Sequence, residues 1–420
     1  MKPTDRSGRG RHAKLVGAGI ALTAVPAVLT LAAGVPDAHP AAAAVQRGAV
    51  VSVTRIAGMS AAETGAYLTE IDPMFGSPRP RNGVDTYRVV YRTVSPGGRP
   101  TTASGVVSLP RTPRKATLRP VSFTHGTHAS RNYAGSIAED GQSRAAAIYC
   151  AAAGYAGVAP DYLGLGLGPG PHPYMHADSE ASASLDMLRA ARSVAAAHGG
   201  RFDRRVMVTG FSQGGAAAMA LGRELQRGAD PYLRLGALAP ISGPYDLRHA
   251  QIPASLTTHT TLAPKASVFY LAYITVSWGR MYDLYDSPSK VFRSPYDKIV
   301  EGLFDGTKDQ DTQIMPQLPN TPIELLTPRY RRWLLHPSGP LLRAMQSSDG
   351  TCDWMPRVPV RLFAGSGDEQ VAHTNTLSCM QALRAHGAEP QVIDYGPDTT
   401  HMDSLSRGVP DTLNWFQSLK

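Results

Sequence analysis

The stretch Val206-Met207-Val208-Thr209-Gly210-Phe211-Ser212-Gln213-Gly214-Gly215 decides the reading of this chain. Its first four residues are apolar or β-branched, the pattern of a short buried strand. The Ala-rich run Ala216–Leu225 that follows reads as a helix. Between them lies Gly-x-Ser-x-Gly. A strand that turns this sharply into a helix needs small residues on both sides of the serine. Gly210 and Gly214 let the two backbones approach and leave the Ser212 hydroxyl exposed at the end of the strand. Read alone, the pentapeptide is a weak signal; its strand–turn–helix setting makes Ser212 a candidate nucleophile.

Working outward, the same rhythm repeats on both sides. Towards the N-terminus the strands Val121–Thr124 and Gly157–Pro160 are each followed by a helix, Gln142–Ala153 and Ser179–His198. Towards the C-terminus come strand Leu235–Ile241, strand Val358–Ala364, helix Thr374–His386, strand Gln391–Tyr395 and a last helix Pro410–Leu419, with Pro410 expected in its first turn. Such alternation predicts an α/β fold: a mostly parallel central sheet with helices on both faces. Residues 246–356 break the rhythm with a Tyr-, Pro- and Ser-rich segment that includes the apolar piece Ala266–Trp278. This segment reads as a helical cap or lid inserted over the sheet. Ahead of the parallel region, a helical stretch near Ala61–Tyr67 precedes strands Asp85–Thr93 and Ser104–Leu109, which Pro96-Gly97-Gly98 joins as a hairpin. The catalytic core is therefore expected at about 85–245 and 357–420.

A serine nucleophile needs a base, and the base needs a carboxylate to orient it. In a sheet of this type they follow in the order Ser, acid, His. Strand Val360–Ala364 runs through Gly365-Ser366-Gly367 into Asp368, with Glu369 as the alternative acid. One helix–strand unit later comes His401, with His373 and His386 as rivals. Asp394, Asp398 and Asp403 lie too close to His401 in sequence to end a separate strand. A developing oxyanion needs two donors. The N–H of Gln213 follows the nucleophile, and the early loop Thr124-His125-Gly126-Thr127 offers Thr127 first and Gly126 next. His125 reads as a structural loop residue. Asp161, in Pro160-Asp161-Tyr162-Leu163-Gly164-Leu165-Gly166, reads as a carboxylate that holds loops together. His172 and His176 stand four apart in a Pro-rich stretch that is no helix, and no metal site is expected there or elsewhere.

Among 420 residues are three cysteines. Cys352 and Cys379 flank one strand–helix unit and are the candidate disulfide pair, while Cys150 sits in an Ala-rich helical stretch and reads as buried and unpaired. Residues 1–44 have the layout of a secretory signal peptide: basic Lys2, Arg6, Arg9, Arg11 and Lys14, an apolar run Leu15–Val35, then an Ala-rich end. That segment holds five basic and two acidic residues, so its removal would bring the formal charge from +9 to about +6. The remaining basic residues are scattered apart from Arg329-Tyr330-Arg331-Arg332. No nucleic-acid-binding signature accompanies them, so no nucleic-acid partner is expected.

With these residues in place, the chain resembles the α/β-hydrolases, and within them the secretory lipases and exported serine esterases. The resemblance spans roughly residues 85–420. It is carried by His125-Gly126-Thr127, the Pro160–Gly166 segment, Gly210–Gly215, Gly367-Asp368-Glu369 and His401. Phe211 stands where these enzymes commonly have tyrosine. The resemblance implies hydrolysis of carboxylic esters or lipids through a Ser-His-Asp triad and an acyl-enzyme, no cofactor, a lid over an acyl pocket and transient contact with a lipid interface. A secreted aminopeptidase or prolyl peptidase, or an acyltransferase, would use the same triad; a catalytically silent binding protein would not need it.

Overall fold

A computed structural model describes residues 46–76, 80–112, 116–257 and 260–419. The signal-peptide reading falls outside them. Their strands, in chain order, are β1 (Val50–Met59), β2 (Val84–Val94), β3 (Pro100–Pro110), β4 (Thr117–Leu118), β5 (Pro120–Thr124), β6 (Ala156–Pro160), β7 (Arg201–Phe202), β8 (Arg205–Phe211), β9 (Arg234–Ile241), β10 (Arg361–Ala364) and β11 (Gln391–Asp394). Short β4 and β7 pair with each other. The other nine form one sheet in the order β1-β2-β3-β6-β5-β8-β9-β10-β11. Pairing is antiparallel from β1 through β6 and parallel from β6 to β11.

The sheet is covered on both faces, and β8 shows how. Val206 and Val208 point into one apolar cluster, with the helices Ala177–Ala197, Gln213–Gln226 and Thr374–Ala385. Met207 and Phe211 point into the opposite cluster, with the helices Ala61–Ile71, Gln142–Ala152 and His401–Ser418. Alternate residues of a strand face opposite sides, so a strand buried on both sides tends to a near-continuous apolar run. This is the physical origin of the continuous apolar runs in the sequence.

After β9 the chain leaves the sheet and does not rejoin it until Val360 bridges to Leu238. The intervening segment builds its own apolar cluster around helix Pro264–Tyr282, where Val268, Phe269, Ala272, Val276 and Trp278 are buried. Ala129, Tyr174 and Met175, from loops at the sheet's edge, join the same cluster. A backbone bond from Ala263 N to Glu369 O, at 2.7 Å, ties the segment to the loop after β10.

Two expectations need correction. The sheet begins at Val50, not near residue 85, because β1 adds an outer strand to β2. Most of its side chains are exposed, so it carries no apolar alternation to read. Arg55 and Arg111 both pair with Asp85 at this edge, at 2.6 and 2.9 Å, placing charge where an unpaired strand is open to association. The last helix begins at His401, not Pro410. Thr400 and Asp403 form a reciprocal capping box that starts it, and Pro410 lies buried inside.

Candidate active site

β8 ends at Phe211, and helix Gln213–Gln226 starts two residues later. Ser212 takes the whole turn, with φ 57° and ψ −124°. A non-glycine residue adopts positive φ only when its surroundings hold it there. The surroundings here are backbone. A Cβ on Gly210 would lie 2.0 Å from Thr124 Oγ1 and 2.2 Å from Gly214 O, and one on Gly214 would lie 1.9 Å from Thr124 O. Thr124 Oγ1 donates to Gly214 O at 2.7 Å, closing the turn from the neighbouring strand.

The strand ends are level with one another. Ser212 N donates to Ile241 O at 2.9 Å, Ser242 N to Phe363 O at 2.8 Å, and Tyr395 N to Ala364 O at 2.8 Å. Residues just beyond β8, β10 and β11 therefore emerge along one edge. Asp368 follows β10 and His401 follows β11, and both are buried. His401 Nδ1 stands 2.6 Å from Asp368 Oδ2. The other carboxylate oxygen of Asp368 accepts from Gln370 N at 2.9 Å and Val371 N at 2.8 Å. Glu369 does something different: its Oε2 accepts the backbone N–H of His401 at 3.0 Å. The His401 ring also lies 4.5 Å, centroid to centroid, from the ring of Phe211, the residue before Ser212. With Nδ1 committed to Asp368, Nε2 is the nitrogen left for the serine. The rivals are elsewhere engaged or placed: His386 Nε2 meets Asp353 at 2.9 Å, and His373 precedes helix Thr374–Ala385.

The loop after β5 passes beside the serine, since a Cβ on Gly126 would lie 3.5 Å from that of Ser212. Thr127 follows, its Oγ1 3.1 Å from the Tyr174 hydroxyl. Gln213 opens the helix behind Ser212, where the first N–H groups have no partner within the helix. The two candidate donors thus flank Ser212. His125 is buried beneath, 2.6 Å from Gly126 O through Nδ1, and burial pushes its pKa down. Asp161 accepts from Ser104 Oγ at 2.6 Å and Ser136 N at 3.1 Å, which makes it a loop tie.

His172 and His176 do not converge. His176 caps helix Ala177–Ala197 through Ser179 N. His172 sits behind Gln213, its Nδ1 on Leu163 O at 2.8 Å and its Nε2 3.0 Å from Gln213 Nε2. No group of three potential metal ligands occurs among the described residues. Cys352 and Cys379 are joined as a disulfide, and Cys150 is free and buried. No helix among the described residues is long and apolar enough to cross a membrane.

A cavity of about 470 Å³, mouth included, opens beside Ser212 and Gln213. Tyr174 and Met175 line one side; Leu247, Ile252, Leu271 and Ile274 come from the inserted segment. Sequence reasoning missed Tyr174, Met175 and the buried Glu180, whose Oε1 accepts from Gln213 Nε2 at 2.7 Å.

A sheet of this order with a serine elbow and a late acid and histidine defines an α/β-hydrolase. No family model and no curated protein matches the chain. Solved structures do. The esterase LipA of Xanthomonas oryzae, titled a rice cell wall degrading esterase, is similar at 26% identity over 89% of this chain and 98% of that one, with a TM-score of 0.80. A protein of Legionella pneumophila, provisionally titled a hydrolase, is similar at 24% identity over 88% and 98%, with a TM-score of 0.79. Candida antarctica lipase A shares the fold at 13% identity over 89% and 82%, with a TM-score of 0.63. The protein is an α/β-hydrolase resembling the esterase LipA, and that likeness supports a carboxylic ester hydrolase.

Proposed function

We propose that the protein is an exported serine ester hydrolase. Ser212 Oγ attacks the ester carbonyl as His401 Nε2 takes its proton. His401 then gives that proton to the leaving alcohol. Asp368 holds the imidazole in the right tautomer and stabilises its charged form. The backbone N–H of Gln213 and one from Gly126–Thr127 hold the oxyanion. Water, activated by the same histidine, releases the acid from the acyl-enzyme. The observation that carries this reading is the buried 2.6 Å contact between His401 and Asp368 at the edge where Ser212 emerges.

The cavity favours esters over aminoacyl amides. An aminopeptidase must bind a free amine, and the described lining of the cavity contains no Asp or Glu. The inserted segment forms the far wall and would act as the cap over the acyl group. Export is the accompanying proposal. It rests on the composition of residues 1–44 and on the Cys352–Cys379 disulfide, which suits an oxidising compartment. N-terminal sequencing of protein recovered from culture medium tests it; a start near residue 45 is expected. Hydrolysis of p-nitrophenyl esters by the wild type and by Ser212→Ala tests the chemistry. The rate is expected to fall by several orders of magnitude in the variant.

A further inference from the structure

Gln213 has a side chain that the proposed chemistry does not use. Only its backbone N–H faces the oxyanion. The side chain runs backwards into the protein, where its Nε2 donates to Glu180 Oε1 at 2.7 Å and to His172 Nε2 at 3.0 Å. The direction of the second bond follows from the first shell of His172. Its Nδ1 faces the carbonyl of Leu163, which can only accept, so Nδ1 carries the proton and Nε2 accepts. Gln213 Oε1 is buried without a partner among the described residues, so its two N–H groups alone hold the amide.

Glu180 lies on helix Ala177–Ala197 and is 2% exposed. Among the described residues no cationic side chain is paired with it. The titratable groups that face it are His172 and Tyr174 from the preceding loop, Tyr162 from the loop after β6, and Tyr273 from the inserted helix. His176 and Asp178 stand at the start of its own helix. A carboxyl group buried among neutral partners has a cost to the fold, and a nearby role is the usual reason to keep one.

We propose that Glu180 is a positioning residue of the hydrolytic centre, gripping the Gln213 side chain from behind and so fixing the backbone N–H beside Ser212. The inference rests on the reading of Ser212 as nucleophile and Gln213 as oxyanion donor. His172 completes the grip and connects it to the cap, because Ser277 Oγ on helix Pro264–Tyr282 donates to His172 O at 3.3 Å. The charge state of Glu180 matters to the reaction. Burial pushes its carboxyl up to about 8, against the pull of hydrogen bonds from Gln213 and Met175. Burial thus favours its neutral form. A neutral acid tolerates an oxyanion forming on the far side of Gln213. An ionised one would repel it in a site that screens charge poorly.

The test compares Glu180→Leu, Glu180→Gln and Ser212→Ala with the wild type on a short-chain p-nitrophenyl ester between pH 6 and 10. Glu180→Leu is expected to lose about 10- to 100-fold in kcat, with KM within about threefold. Glu180→Gln keeps the acceptor and is expected to restore kcat to within about threefold of wild type at pH 7. The wild-type kcat is expected to fall about tenfold above pH 8, and Glu180→Gln to lack that fall. A folded Glu180→Leu with wild-type kcat, or a Glu180→Gln that keeps the alkaline fall, would overturn the inference. Should Glu180→Leu not fold, the pH profile of Glu180→Gln decides alone. A Ser212→Ala enzyme as active as wild type would instead overturn the reading of the site on which the inference rests.

Discussion

His401 and Asp368 meet at 2.6 Å, Nδ1 to Oδ2, with both side chains 2% exposed, while Glu369 beside them takes the His401 backbone N–H at 3.0 Å. Two adjacent carboxylates thus have separate tasks. One orients the ring, and the other ties down the start of the helix that carries it.

That division predicts unequal variants. Asp368→Asn would favour the wrong imidazole tautomer and should lower kcat about 10³- to 10⁴-fold. Glu369→Gln keeps an acceptor for the His401 N–H and should cost less than about tenfold. Steady-state kinetics on one ester decides between them. Equal losses would mean that the acid has been misassigned.

The elbow is set by backbone approach and should not tolerate a methyl group. Gly214→Ala would press a Cβ to 1.9 Å from Thr124 O and should destabilise the fold by about 3 kcal/mol or more. Gly302→Ala, where no atom lies within 4 Å of the new Cβ, should change stability by less than about 0.5 kcal/mol. Urea unfolding of both variants measures the contrast.

The disulfide closes a loop of sequence separation 27. On the chain-entropy account its loss should cost about 3.5 kcal/mol. The double variant Cys352→Ala, Cys379→Ala, compared with wild type in urea, gives the value. Because the bridge lies on the apolar-cluster side of helix Thr374–Ala385, esterase activity at 25 °C should survive its loss.

The cavity beside Ser212 is narrow, with Leu247, Ile252, Leu271 and Ile274 of the inserted segment closing its far side. Esters with short to medium acyl chains should therefore be preferred over C16. Leu271→Ala and Ile274→Ala remove bulk from the wall and should move the optimum to longer chains. An optimum at C16 in the wild type would show that the inserted segment swings clear of the position seen here.

Glu180 and His172 make opposite contributions to stability as pH changes. The Glu180 pKa is raised from the ordinary 4.5 to about 8, so the folded state holds a proton that the unfolded chain has lost. Stability should therefore fall as pH rises from about 4.5 to 8. His172 is pushed down from 6.5 to about 3 by burial. Its contribution is present above 6.5 and is lost as pH falls towards 3. The difference between wild type and Glu180→Gln isolates the first effect, with a limiting slope of about 1.4 kcal/mol per pH unit. A difference that does not vary between pH 5 and 8 would contradict it.

The parts of the molecule that were legible in the sequence are those buried on both sides. β6, β8 and β9 carry apolar runs because each faces two layers of helix, and the glycines at 210 and 214 mark the elbow because backbone fills the space a side chain would need. β1 was not legible, since its side chains meet solvent and need no period. The start of the last helix is hard to read because Pro410 suits a first turn, while the Thr400–Asp403 cap that begins the helix shows itself only in reciprocal side-chain bonds. Glu180 and Tyr174 could not be assigned from spacing. They reach Gln213 and Thr127 across 33 and 47 residues, through contacts that only the packing of the cap and the sheet brings about.

The most direct test of the central claim is intact-mass analysis after exposure to a fluorophosphonate, followed by peptide mapping. One adduct is expected on the wild type, located at Ser212, with none on Ser212→Ala and a greatly slowed reaction with His401→Ala. An adduct on a different residue, or equal labelling of Ser212→Ala, would show that the nucleophile is not Ser212.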